Sequence, residues 1–88
     1  MYSQSIVVQN KTGLHARPAA SFVQAASKFK SNITIEKDSR QANAKSMLSL
    51  LSIGASMGST VTITAEGEDE NQAVTTLIEL IRSKFGEE

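Results

Sequence analysis

The chain is short of several residue types, and each absence excludes a class of chemistry. Its 88 residues include no cysteine and no tryptophan, and only one proline and one histidine. Without cysteine there can be no disulfide, no thiolate zinc site and no cysteine nucleophile. A lone histidine also supplies too few protein ligands for a zinc site, so we expect no metal. No motif in the sequence indicates a cofactor.

The chain also has no net charge and no long apolar run. Nine basic and nine acidic side chains cancel, so we expect no direct binding of nucleic acid. The longest mainly apolar stretch, residues 47–57, is interrupted by serines and Gly54 and falls far short of the ~20 residues that span a bilayer. The N-terminus has no charged segment followed by an apolar run, so we expect neither a secretory signal nor membrane insertion. The composition, 40% apolar and 20% charged, is typical of one folded domain over residues 1–88.

Hydrophobic periodicity and turn signals divide the chain into short elements. The predicted helices cover residues 16–29, 46–54 and 69–86, and the predicted strands cover 6–8, 32–36, 40–44 and 60–65. Asp69 and Gln72 have the spacing of a capping box for the last helix, and Gly86 would end it. The order strand, helix, strand, strand, helix, strand, helix predicts an α+β sandwich with one sheet and one helical layer.

The single histidine lies at a position that suits phosphate chemistry. His15 directly precedes a predicted helix that carries Arg17 and Pro18 in its first turn. A helix start offers unpaired N–H groups and a partial positive charge, and Arg17 adds a multidentate donor for phosphate oxygens. An imidazole beside such a site can act as a nucleophile towards phosphorus, while Pro18 stiffens the backbone. The plainer alternative is an exposed loop or cap histidine, and spacing alone does not decide between the two.

Two stretches of the chain resemble motifs of a known family. The run Lys11–Ala20, KTGLHARPAA, is similar to the active-site signature of HPr, the histidine-containing phosphocarrier of the bacterial phosphoenolpyruvate-dependent sugar phosphotransferase system. The run Asn43–Leu51, NAKSMLSLL, resembles the regulatory serine region of the same family. The resemblance implies an open-faced β-sandwich, βαββαβα. Its sheet would be four-stranded and antiparallel, in the order 1-4-2-3, with three helices on one face.

The resemblance also implies a phosphoryl-transfer route. Enzyme I would phosphorylate the Nδ1 atom of His15, and the group would pass to the IIA component of a sugar permease. Arg17 would stabilise the phosphate and Pro18 would position the backbone. The chain would then be a covalent carrier in the cytoplasm and not an enzyme, and the family expectation is a monomer.

Ser46 is the second candidate site. Its hydroxyl suits the N-cap of the short helix, which is the ordinary structural role for such a serine. The resemblance implies in addition that an HPr kinase/phosphorylase phosphorylates Ser46. The modified form would bind a catabolite control protein, which is a transcription regulator, in carbon catabolite repression.

The short helix would also present a partner surface. Apolar residues at this spacing normally belong to a core, but the family resemblance implies that Met47, Leu48 and Leu51 contact partner proteins. We expect Leu50 and Ile53 on the buried side. The remaining charged residues, such as Lys37, Asp38 and Lys84, are expected to form a solvated face with no further role.

Two other interpretations remain at this point. The first is a regulator-only paralogue of the Crh type, which keeps the serine and lacks the histidine; His15 argues against it. The second is a small RNA-binding module, which would expose aromatic side chains on its strands. Three of the four aromatics, Phe22, Phe29 and Phe85, lie on helical stripes instead. Ser49 occupies a position where many members of the family have glycine, so detailed partner preference is left open.

Overall fold

A computed structural model describes residues 1–11 and 13–86. Its elements are β1 (Tyr2–Val7), α1 (Ala16–Ala26), β2 (Asn32–Lys37), β3 (Arg40–Asn43), α2 (Met47–Ser52), β4 (Thr60–Glu66), α3 (Glu70–Arg82) and a 3-10 turn (Lys84–Gly86). The predicted element order is therefore confirmed. No helix in the described part of the chain is long and apolar enough to cross a membrane.

The four strands form one antiparallel sheet in the order β1-β4-β2-β3, as the family resemblance implied. Ile35 of β2 lies opposite Ile63 of β4, and both side chains are fully buried. β2 and β3 are joined by a two-residue loop, Asp38 and Ser39, with φ values of 50° and 70°. Positive φ at both loop residues matches the right-handed twist of the strands that the loop connects.

The helices cover one face of the sheet and bury its inward side chains. Leu50 and Ile53 are buried, as predicted for the inner side of α2. Each large apolar side chain that is fully buried contributes about 1.5–3 kcal/mol to folding. Other fully buried large side chains of this core include Val8, Phe22, Val61, Val74, Leu77 and Ile81.

α1 is shorter than its apolar stripe predicts. The helix ends at Ala26, and Phe29 lies in the turn that follows. Phe29 still packs against the core from that turn. The periodic pattern therefore marked the buried face correctly and placed the helix end three residues too late.

α3 also ends before its predicted boundary. The helix stops at Arg82, and Gly86 belongs to the 3-10 turn that follows. Lys84 and Phe85 have φ values of 60° and 57°, which an α-helix does not allow. After this reversal the partly buried Phe85 still packs against the core.

The capping box predicted for Asp69 and Gln72 is wrong. Asp69 is the N-cap residue of α3, but its carboxylate makes no capping hydrogen bond. It accepts the N–H of Lys30 at 2.9 Å, the N–H of Ser31 at 3.0 Å and the Ser31 hydroxyl. These bonds, the Ser31 hydroxyl first and the Lys30 N–H next, lower the pKa of Asp69. Asp69 thus ties the turn after α1 to the start of α3.

Candidate functional site

The loop before His15 is held by backbone contacts. The N–H of Gly13 donates to the carbonyl of Asn10 at 3.1 Å, and the buried Asn10 side chain donates Nδ2–H to the Gly13 carbonyl at 2.8 Å. The N–H of Leu14 donates to the Ala55 carbonyl at 2.9 Å. Gly13 has φ +62°, and a Cβ there would lie 2.6 Å from the Ala55 oxygen. Only glycine fits this approach without displacing the backbone.

His15 is the N-cap residue of α1, with an extended backbone at φ −87° and ψ −168°. Its carbonyl accepts the N–H of Ala19 at 2.9 Å, which is the first bond of the helix. The N–H groups of Ala16 and Arg17 precede that bond and have no carbonyl partner within the helix. Pro18, the third helical residue, has no N–H. The helix start therefore offers two backbone donors directly beyond the histidine.

The electrostatic surroundings of His15 favour an anion. His15 and Arg17 are exposed, whereas Pro18 is buried and fixes the first turn. The first turn of α1, which lies within the described residues, carries no acidic side chain. The helix start and the Arg17 guanidinium together suit a phosphoryl group beside an accessible imidazole.

Ser46 is the N-cap of α2, as predicted. Its Oγ accepts the N–H of Ser49 at 3.3 Å, and its carbonyl accepts the N–H of Leu50 at 3.0 Å. The preceding residue, Lys45, donates its ammonium to the Phe29 carbonyl at 2.7 Å. The hydroxyl is half-buried and already serves as a cap. The structure thus confirms the structural role of Ser46, and its modification remains a prediction.

The outer side of α2 is apolar and uncovered. Leu48 is 82% exposed and Leu51 is 39% exposed, whereas Met47 is half-buried and packs against the core. α2 packs against α1, so this surface lies on the helix beside the one that begins at His15. Met57 is a further exposed apolar side chain, 58% exposed in the tight turn between Ser56 and Ser59, and no pattern in the sequence indicated it. Gly58 in the same turn has φ +92°.

Comparison with known proteins identifies the family. A family model described as the PTS HPr component phosphorylation site matches residues 2–83. The chain belongs to the HPr family. Curated members similar to it carry two different names. HPr-like protein Crh of Halalkalibacterium halodurans is 48% identical over 84 residues, which are 96% of this chain and 100% of that protein. Phosphocarrier protein HPr of Xylella fastidiosa (strain 9a5c) is 41% identical over 88 residues, which are 100% of this chain and 99% of that protein.

Solved structures of HPr proteins share the fold. A crystal structure of HPr from Thermoanaerobacter tengcongensis has a TM-score of 0.97 and 56% identity, covering 100% of this chain and 99% of that one. A structure described as an HPr dimer from the same organism has a TM-score of 0.80 and 55% identity, covering 99% and 100%. The open-faced sandwich of the HPr family is therefore the fold of this chain.

Proposed function

We propose that this HPr-family chain is a phosphocarrier that accepts a phosphoryl group on His15 from phospho-enzyme I. It then donates the group to the IIA component of a sugar permease, as part of sugar transport by the phosphotransferase system. The observation that carries the proposal is the exposed His15 at the N-cap of α1, next to Arg17 and two backbone donors. The chain itself is a covalent carrier and needs no enzymatic turnover of its own.

The geometry suits each part of that chemistry. The Nδ1 atom of His15 would form the new P–N bond as the bond to the donor breaks. A phosphoryl group brings about 1.5–2 negative charges at neutral pH. The Arg17 guanidinium and the N–H groups of Ala16 and Arg17 would stabilise that charge, and the buried Pro18 would hold the turn in place.

The proposal is tested by reconstitution. With enzyme I and phosphoenolpyruvate, the chain should gain the mass of one phosphoryl group, which acid removes and a IIA protein accepts. Acid-stable labelling, or labelling that no IIA protein can accept, would contradict the carrier role.

We propose further that Ser46 is a regulatory phosphorylation site. An HPr kinase/phosphorylase would modify it, and the modified form would bind a catabolite control protein and so act in transcription regulation. The support is the half-exposed N-cap hydroxyl beside the uncovered Leu48 and Leu51, which we propose as partner contacts together with Met47. Incubation with ATP and the kinase should add one acid-stable phosphate to the wild type and none to Ser46→Ala.

A Crh-like regulator that acts through phospho-Ser46 alone is the second candidate. The observation in its favour is the 48% identity with a Crh protein. The distinguishing residue is His15, which a regulator of that type lacks. A wild-type chain that the kinase labels and that enzyme I leaves unlabelled would favour the second candidate.

We propose that the carrier works in the cytoplasm as a monomer. His15, Arg17 and the apolar side of α2 are accessible on a single copy of the chain. The related HPr described as a dimer makes self-association a concrete alternative. Light scattering after size-exclusion chromatography, at micromolar and millimolar concentration, distinguishes the two states.

A further inference from the structure

The sequence predicted that Lys37 belongs to a solvated face, but in the structure its side chain is mostly covered. Lys37 is the last residue of β2, its side chain is 22% exposed, and its ammonium donates to the Gly54 carbonyl at 3.1 Å in a solvent-exposed hydrogen bond. The neighbouring Asp38 carboxylate is 3.7 Å away and highly exposed, so that ion pair contributes little. The bond to Gly54 is therefore the more informative contact of Lys37.

Gly54 connects α2 to the loop that follows. α2 ends at Ser52, Ile53 is its buried C-cap, and Gly54 turns the chain with φ +65°. The Gly54 N–H reaches the Leu51 carbonyl only at 3.4 Å, and nothing lies within 4 Å of where a Cβ would be. The Cβ side of Gly54 is therefore open, and its carbonyl accepts the hydrogen bond from Lys37.

The next residue along the chain holds the His15 loop. The Ala55 carbonyl accepts the Leu14 N–H at 2.9 Å, one residue before His15. Gly13 lies against the same segment so closely that a Cβ would come within 2.6 Å of the Ala55 oxygen and 2.7 Å of the Ser56 Cα. A shift of Ala55 would therefore be passed to Leu14, because there is no space between the two segments to absorb it.

We propose that Lys37 is a positioning residue for His15. Its ammonium holds the Gly54 carbonyl, and this keeps the Ala55–Leu14 hydrogen bond in place while His15 accepts and releases the phosphoryl group. The part of the proposal that concerns phosphotransfer rests on the proposed function. The part that concerns the Leu14 hydrogen bond does not, and the two parts are measured separately.

The hairpin offers a matched control. Arg40 lies directly opposite Lys37 in the β2–β3 register and borders the same cleft with Ile53 and Gly54. Lys37→Met and Arg40→Met each remove one positive charge from this cleft, but only the first removes the donor to Gly54. Lys37→Arg keeps a donor and a charge and serves as the rescue variant.

We call the Lys37–Gly54 and Ala55–Leu14 hydrogen bonds together the clamp. Hydrogen exchange of the Leu14 amide measures directly whether the clamp stays closed. The amide of Ile63, in the central strand β4, reports global opening in the same sample. In Lys37→Met we expect Leu14 to exchange about three- to tenfold faster with Ile63 unchanged, as the loss of one side-chain hydrogen bond allows. Lys37→Arg should restore most of the protection, and Arg40→Met should leave it at the wild-type level.

Steady-state phosphorylation by phospho-enzyme I tests the positioning role. In Lys37→Met, kcat should fall about three- to tenfold with KM for the carrier nearly unchanged, because misplacement affects the transfer step more than docking. Unchanged Leu14 exchange would overturn the clamp, and faster exchange with an unchanged kcat would overturn the positioning role. An equal loss of kcat in Arg40→Met would assign the effect to charge. If the wild type accepts no phosphoryl group, the proposed function fails while the exchange measurement still decides the clamp.

Discussion

The two ends of α1 use backbone N–H donors in opposite ways. Beyond its C-terminal end, the N–H groups of Lys30 and Ser31 donate to the Asp69 carboxylate, and Ser31 is buried. At its N-terminal end, the N–H groups of Ala16 and Arg17 have no partner within the helix and lie beside an exposed histidine. The first set is occupied by an anion that belongs to the fold. The second set remains available for an anion that comes and goes.

This contrast separates stability from function along a single helix. An anion supplied by the chain itself stabilises the folded state whenever it is ionised. Donors without an internal partner contribute little to folding, but they are ready to bind a transferred group. Substitutions at the two ends should therefore have different consequences, and each variant below tests that division.

The largest effect on stability is expected at Gly13, which lies in the loop directly before the N-terminal end of α1. Gly13→Ala should lower the free energy of unfolding by about 2–3 kcal/mol, because a Cβ would strain the backbone at φ +62° and clash with Ala55. Gly54→Ala is the matched control, since Gly54 has nearly the same φ, +65°, with nothing within 4 Å of the position of a Cβ. Chemical denaturation should show a clearly larger loss for Gly13→Ala. Equal losses would mean that backbone conformation alone, and not the close approach, requires glycine at position 13.

At the N-terminal end of α1, Arg17→Ala should slow phosphotransfer at least tenfold and hardly change stability. A tenfold change corresponds to about 1.4 kcal/mol, which is within reach of one charge-assisted hydrogen bond to a phosphoryl group. Arg82→Ala, at an exposed arginine of α3 that pairs with Glu79 at 2.7 Å, is the control and should transfer normally. A large loss of stability in Arg17→Ala with normal transfer would reverse the assignment of this end of the helix.

Beyond the C-terminal end of α1, Asp69→Asn should destabilise the fold and leave the rate of His15 phosphorylation unchanged. The pKa of Asp69 is lowered, chiefly by the Ser31 hydroxyl, so its stabilisation is fully present above the ordinary value of 3.8. It is lost as the pH falls through the lower pKa of the folded state. The wild type should thus lose stability more steeply than Asp69→Asn as the pH falls below 3.8.

Some acid dependence should remain in that variant, because Glu70 also has a lowered pKa, chiefly through its bond with the N-terminal ammonium. Glu68→Gln, at the exposed residue next to Asp69, serves as the control and should keep the full wild-type slope. An unchanged slope in Asp69→Asn would show that another group carries the acid sensitivity. Slower phosphotransfer in the same variant would show that the two ends of α1 are coupled.

The smallest effect is expected at Ser46, because it acts on docking and on neither set of donors. Ser46→Asp should slow transfer from enzyme I less than tenfold, since a charge beside Leu48 and Leu51 must be desolvated in an apolar interface. Its stability should be close to that of the wild type, because aspartate also caps helices. Rates should be compared for the wild type, Ser46→Ala and Ser46→Asp at low and high salt. Equal rates in all three would leave Ser46 as a helix cap alone.

The sequence predicted those features that depend on neighbouring residues. Alternation in β4 and the stripe of α1 identified the buried faces, and the cap at Ser46 followed from local chemistry. The destination of the Asp69 carboxylate was mispredicted, because its partners Lys30 and Ser31 lie 39 and 38 residues away in the chain. The reversal at Phe85 was missed because the helical apolar stripe continues to that residue in the sequence, whereas the backbone of Lys84 and Phe85 has positive φ.

In the candidate site, too, the sequence predicted only the residues that are neighbours in the chain. His15, Arg17 and Pro18 were identified from one motif and lie together at the start of α1. The groups that hold the loop before His15, namely the Ala55 carbonyl and the Lys37 ammonium beyond it, come from other parts of the chain. A single sequence contains no periodicity that links them, so only the folded structure brings them into view.

The central claim is that His15 carries the phosphoryl group, and NMR of the phosphorylated chain tests it most directly. After incubation with enzyme I and phosphoenolpyruvate, the nitrogen and phosphorus spectra of the wild type should show one phosphoryl group on Nδ1 of His15. The amide signals of Ala16 and Arg17 should shift on phosphorylation, while those of Lys30 and Ser31 stay in place. His15→Ala should remain unphosphorylated and folded. A phosphoryl group on any other atom of the wild type, or acid-labile labelling of His15→Ala, would contradict the account.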